Sequence, residues 1–147
     1  MSNPDVMKMW AEALESDKFQ QVVGLLHCKI DNKTYNCCLG VLCNLYMKHN
    51  PASEARWVHT GPIDPYGRAV YKFVSKKSDE TPYYECSVYL PQEVSDWAGL
   101  YSTNPSTGPQ DQRRSFVHLN DVQKLNFKDI ATIIRAWEIS YDQAEVT

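Results

Sequence analysis

The run Tyr35-Asn36-Cys37-Cys38-Leu39-Gly40-Val41-Leu42-Cys43-Asn44-Leu45-Tyr46 decides how the rest of the chain is read. It sets three cysteines in a short apolar stretch behind one polar residue. Asn36 has the side chain of a helix N-cap, whose oxygen accepts from the free N–H groups of a first turn. The expected helix covers 36–49 and stops at Asn50-Pro51. Cys37 and Cys38 would then lie at its positive end, where a thiolate is stabilised. The same run also reads as a helix buried on all sides, with cysteine as a small hydrophobe.

Working outward, Asn3-Pro4 is an N-cap followed by proline in a first helical turn. Val6, Met9, Trp10, Ala13 and Leu14 recur at helical spacing, which predicts a first helix over 3–16. A strand is expected over Leu26–Ile30, ended by the turn residues Asp31-Asn32-Lys33. Arg68–Val74 and Tyr83–Leu90 are rich in β-formers on either side of a polar stretch, so 68–90 reads as a long-looped antiparallel hairpin. A short helix over 91–99 follows, closed by Gly99. Tyr101–Gln112 reads as loop and Ser115–Leu119 as strand. The last helix, 126–138, is capped by Asn126 and carries an apolar stripe of Phe127, Ile130, Ile133, Ile134 and Trp137, expected to pack on the sheet. The prediction is α+β: one compact domain over 1–147, with a small antiparallel sheet and about four helices.

Composition narrows the function classes. At 147 residues with 43% hydrophobic content the chain has the size and apolar content of one ordinary globular domain. A net charge of −3 gives no basic field for duplex nucleic acid. No apolar stretch reaches the roughly 20 residues that span a bilayer, so no membrane role is expected. The N-terminal Met1-Ser2-Asn3-Pro4-Asp5 lacks the features of a secretory signal. Five cysteines, three of them clustered, argue against a disulfide framework and for a reducing compartment. Nine tyrosines and four tryptophans are side chains suited to half-wet binding surfaces.

Several motifs recur together: Cys37-Cys38-Leu39-Gly40-Val41-Leu42-Cys43, Leu90-Pro91 with Val94 and Trp97-Ala98-Gly99-Leu100, Asn104-Pro105, Leu119-Asn120-Asp121, and Phe127 with Ile130-Ala131 and Ile134. In this order they resemble a family of small uncharacterised bacteriophage proteins, over about Trp10 to Ile134. Arg56–Tyr89 is the stretch least like that pattern. The resemblance implies a phage product in the cytoplasm of an infected bacterium, and it carries no activity onto any residue.

Three constellations could carry chemistry. Cys37 or Cys38 as nucleophile with His118 as base would make a cysteine hydrolase or transferase, with Asn120 or Asp121 orienting the imidazole. The bland alternative is packing. His27, Cys28, Cys37, Cys38 and Cys43 lack paired metal-ligand spacing, so neither metal nor cofactor is expected. In the third, Arg113 and Arg114 would hold the phosphates of a small anionic, nucleotide-like ligand, Asn120 and Asp121 would read its polar groups, and Tyr101 and Phe116 would stack on it. The leading expectation is a non-enzymatic accessory protein that binds such a ligand, for example a host defence signal. The alternatives are the cysteine enzyme and an inhibitor of a host protein, and a homo-oligomer is compatible with each.

Overall fold

The computed structural model describes residues 3–76, 85–100, 102–108 and 112–146, with the backbone alone for 85–86 and 137–146. Helix α1 (Pro4–Glu15) starts where Asn3 Oδ1 accepts from the N–H groups of Asp5 and Val6. Strands β1 (His27–Ile30) and β2 (Lys33–Asn36) form a hairpin through Asp31 and Asn32, both with positive φ, as a tight two-residue turn requires. Helix α2 (Cys38–His49) follows, then a 3-10 turn (Pro51–Ser53) and strands β3 (Arg56–His59) and β4 (Ala69–Val74). The sheet has the order β2-β1-β4-β3 and every pair in it is antiparallel. Short helices α3 (Glu85–Val88) and α5 (Phe116–Asp121) flank α4 (Gln92–Ala98) and a two-residue ribbon of β5 (Ser106–Thr107) with β6 (Arg114–Ser115). Helix α6 (Phe127–Val146) closes the chain. The fold class is α+β, as the sequence predicts.

The centre of the molecule is α2. Cys38, Leu39, Gly40, Val41, Leu42 and Cys43 are all buried, because α1, α4 and α5 surround the helix together with the sheet. Trp10 of α1 donates its indole N–H to the Cys38 carbonyl at 2.9 Å and packs on Phe116 of α5. The first half of α2 has no amphipathic stripe because Cys38 to Cys43 are all enclosed, whereas Lys48 and His49 at its end are exposed.

Four expectations are corrected. Asn36 does not cap α2: it ends β2, and Cys37 is the N-cap residue without a side-chain bond of its own. The 68–90 hairpin does not form, since β4 pairs with β1 and β3 and residues 85–88 are helical. Ser87 and Leu90 are buried three residues apart, a helical spacing, and the Ser87 carbonyl accepts from Leu26 N–H at 2.8 Å. Tyr83 and Tyr84 lie outside the described residues. Ser115–Leu119 is strand only at its start, because Ser115 Oγ accepts from His118 N–H at 3.0 Å and begins α5. Finally, α6 packs along α1 and touches β5 rather than lying chiefly on the four-stranded sheet, with Ile130, Ala131 and Ile134 buried; the Trp137 side chain lies outside the described residues. The Asn126 cap on α6 is present, its side chain accepting from Asp129 N–H at 2.8 Å.

Gly40 sets how closely α2 approaches the sheet. A Cβ there would stand 1.8 Å from the Leu26 carbonyl oxygen. Gly40→Ala should gain ~1 kcal/mol of helix propensity and lose more to overpacking against a backbone atom that cannot swing aside. A net loss of about 2 kcal/mol is expected by urea denaturation, and a stabilised variant would contradict the contact.

Candidate functional site

A buried helix cannot leave its first-turn N–H groups to water. Asn120, 82 positions away on α5, supplies the missing acceptor: its Oδ1 takes Cys38 N–H at 3.2 Å and Gln21 Nε2–H at 2.8 Å. Its Nδ2 donates to the Val22 carbonyl at 2.8 Å and to Asp121 Oδ1 at 2.7 Å. All the hydrogen-bonding capacity of this amide is used inside the protein. Asn120 is therefore a tie between α5, the segment before β1, and the start of α2.

The two thiols beside it are core atoms. Burial pushes the Cys37 thiol up to about 12 and the Cys38 thiol well above its ordinary value. Desolvation outweighs the backbone hydrogen bonds that favour the thiolate. Cys38 Sγ points at the Phe116 carbonyl, 3.6 Å away. His118 lies on α5, and among the described residues it makes no hydrogen bond to either thiol.

The residues assigned to an anionic ligand are scattered by their surroundings. Arg113 and Arg114 are exposed, with Arg114 Nη1 donating to the Arg113 carbonyl. Phe116 is fully buried against Trp10, and Asp121 is half-buried beside Asn120. Tyr101 lies outside the described residues. The structure brings Asn120 and Asp121 together, as adjacent residues of one helix, and turns Phe116 away from any solvent-borne ring. No group of three His, Cys, Asp or Glu side chains among the described residues is placed to hold a metal ion, and no described helix is long and apolar enough to cross a membrane.

Two features were missed in the sequence. His27 is buried on β1, stacked at 4.5 Å on Trp57 and met edge-on by Tyr71. Asn36 Nδ2 lies 3.0 Å from both the Leu26 carbonyl and His27 Nδ1. The carbonyl can only accept, so it fixes the amide's orientation, and His27 Nδ1 must accept the second N–H. This ring is neutral with its proton on Nε2. The signal available was the pairing of His27 with Asn36 across the hairpin, which needs β2 to be recognised first.

The second feature is the 60–68 loop between β3 and β4. Asp64 accepts from the N–H groups of Tyr66 and Arg68, each at 2.9 Å, and its other oxygen pairs with Arg68 Nε at 2.7 Å. Arg68 reaches on to the Val23 carbonyl, and its guanidinium lies 5.3 Å from the Tyr66 ring centroid. Burial works against the Asp64 charge, yet the bonds from Arg68 and Tyr66 hold its carboxyl below the usual range. The braced loop displays Ile63 and Tyr66, which are 62% and 80% exposed. Asp64-Pro65 and Tyr66-Gly67 are recognisable turn signals, but nothing local marks Asp64 as the brace.

A family profile described as Domain of unknown function (DUF8296) matches residues 2–138. The chain belongs to this family. The match runs from α1 into α6 and so takes in α2, the Asn120 tie and the braced loop, which makes all three features of the DUF8296 region of the chain. No curated protein and no solved structure matches the chain.

Two outcomes follow from this geometry. Asn120→Ala would leave Cys38 N–H and the Val22 carbonyl without their partner, would take one of the two acceptors of Gln21 Nε2, and should cost about 3 kcal/mol in denaturant unfolding. A loss too small to resolve would show that Asn120 is not the tie. The His27 ring is held near a pKa of about 4, first by burial and then by repulsion from Lys29, whereas the unfolded chain titrates near ~6.5. Between these values the unfolded state binds a proton that the native state refuses, so stability falls as pH drops through that window. The loss is at most about 3 kcal/mol and is absent at neutral pH and above. Unfolding measured at about pH 7 and about pH 4.5 should show a smaller difference for His27→Gln than for the wild type.

Proposed function

We propose that this protein acts without bond-making chemistry of its own, as a binding protein whose partner is another protein. The observation that carries the reading is the Asp64-braced loop, which holds Ile63 and Tyr66 out in solvent on a rigid support. Exposed apolar side chains on a loose loop would be ordinary. Here three hydrogen bonds to one carboxylate fix the loop in advance, which lowers the ordering cost of docking. Tyrosine and arginine are the side chains that most often dominate protein interfaces, and Tyr66 and Arg68 stand together. The buried, high-pKa thiols favour a structural role for Cys37 and Cys38 over the cysteine-enzyme alternative. In the bacteriophage setting that the motif resemblance implies, the partner would be a host protein met in the bacterial cytoplasm. A small anionic ligand is the second reading, favoured by the exposed Arg113-Arg114 pair.

A photo-crosslinking phenylalanine derivative placed at Tyr66 tests this in bacterial lysate. One discrete adduct is expected, competed away by unlabelled wild type and not formed from the same group placed at the exposed Thr132 of α6. Tyr66→Ser with Ile63→Ser should weaken the isolated complex by about 2 kcal/mol or more while leaving thermal unfolding unchanged. Absence of any competed adduct would remove the protein-partner reading. Heat from a nucleotide panel in calorimetry, abolished by Arg113→Glu with Arg114→Glu, would install the anionic ligand in its place.

A further inference from the structure

Strand β3 is the outermost strand of the sheet and is paired with β4 along one side only. Thr60 N–H donates to the Val70 carbonyl at 2.9 Å, and the register sets Val58 across from Lys72 and Arg56 across from Val74. The alternation of an antiparallel ladder then turns the backbone groups of Arg56 and Val58 inward to β4, and those of Trp57 and His59 outward. Among the described residues, no strand or loop pairs with that outer row. Beside it, Val58, His59, Thr60, Gly61 and Lys72 line a depression of ≈ 520 Å³.

The charge along this edge is opposite to that of the chain. The protein carries a net charge of −3, yet Arg56 and His59 are exposed on β3 and Lys72 stands next to Val58. Among the described residues, neither Arg56 nor Lys72 has a carboxylate within ion-pair distance, since the ion pairs formed there are Arg68–Asp64, Lys76–Glu54, Lys128–Asp17 and Arg135–Glu15. An added strand would gain main-chain hydrogen bonds from the outer row and side-chain selectivity from the depression. Antiparallel pairing with a second copy must set outward residues against each other, so Trp57 against His59 would place Arg56 opposite Thr60 and bring Lys72 no carboxylate.

We propose that the β3 edge binds an extended acidic segment of the partner as an added strand, with Lys72 taking one of its carboxylates. This deepens the protein-binding reading and rests on it for the partner's class. The probe is a synthetic peptide of alternating Val and Glu, titrated into ¹⁵N-labelled protein. The amide signals of Trp57 and His59 should shift, and their hydrogen exchange, fast in the free protein, should slow. Lys72→Glu should weaken binding by about tenfold or more. His59→Pro removes an outward N–H and no ladder bond, so it should abolish binding with folding retained, while His59→Ala keeps most of it. Equal binding of a Val–Lys peptide, or no shift at either amide, would overturn the proposal. So would amides of Trp57 and His59 already protected in the free protein, whether as monomer or as a dimer seen by mass. Failure here with the Tyr66 adduct intact removes only the added strand. Loss of the adduct with peptide binding intact removes the loop reading and leaves the edge.

Discussion

Everything in this fold answers to one demand: a helix whose first half is enclosed on all sides must find partners inside the protein for the polar groups at its start. Water cannot reach the first turn of α2, and Cys37 has no side-chain oxygen to offer. The acceptor comes from Asn120, which can reach Cys38 only if α5 is wound and docked. The same amide then reaches Val22 and Gln21, the segment that leads into β1. On the opposite side the demand is steric. Gly40 lets the Leu26 carbonyl lie against α2, and that carbonyl takes one N–H of Asn36 while His27 takes the other. Two asparagines and a glycine thus position the sheet, α2 and α5 relative to one another.

How far the sequence speaks for this depends on the range of the interaction. Both long outer helices are legible because their signals are local: Asn3 before Pro4, Asn126 before Asp129, and apolar residues at helical spacing. The turn at Asp31-Asn32 is legible for the same reason. The strand after it is not, because Lys33-Thr34-Tyr35-Asn36 carries no apolar alternation and is held by pairing with β1. Tyr83–Leu90 misleads because Val88 and Tyr89 are β-formers, yet Glu85–Val88 is helical and the Ser87 carbonyl takes the Leu26 N–H. The all-round burial of Cys38 to Cys43 is within reach of a sequence reading, since that apolar run shows no polar face. What no local pattern reveals is that its cap lies 82 positions downstream.

The same distinction explains the candidate site. Side chains that look chemically able, Cys37, Cys38 and Asn120, are polar or polarisable groups enlisted to close the core. The surface features that support a binding role come instead from residues with no motif value: an aspartate that braces its own loop, and an edge strand whose outer backbone row is open. Burial separates the two sets more sharply than residue type does.

The contact of α1 with α6 has a further meaning for how the chain acquires its shape. The first helix of the described chain finds its main helical neighbour in the last, and the cap of α2 comes from the last third. A ribosome delivers these parts in the opposite order of need: α1 and the apolar α2 emerge long before α5 and α6 can cover them. Long-range contacts of this kind slow folding, because loops must close before any burial rewards them. The native cover of α1 and the cap of α2 are therefore complete only once α5 and α6 have been made.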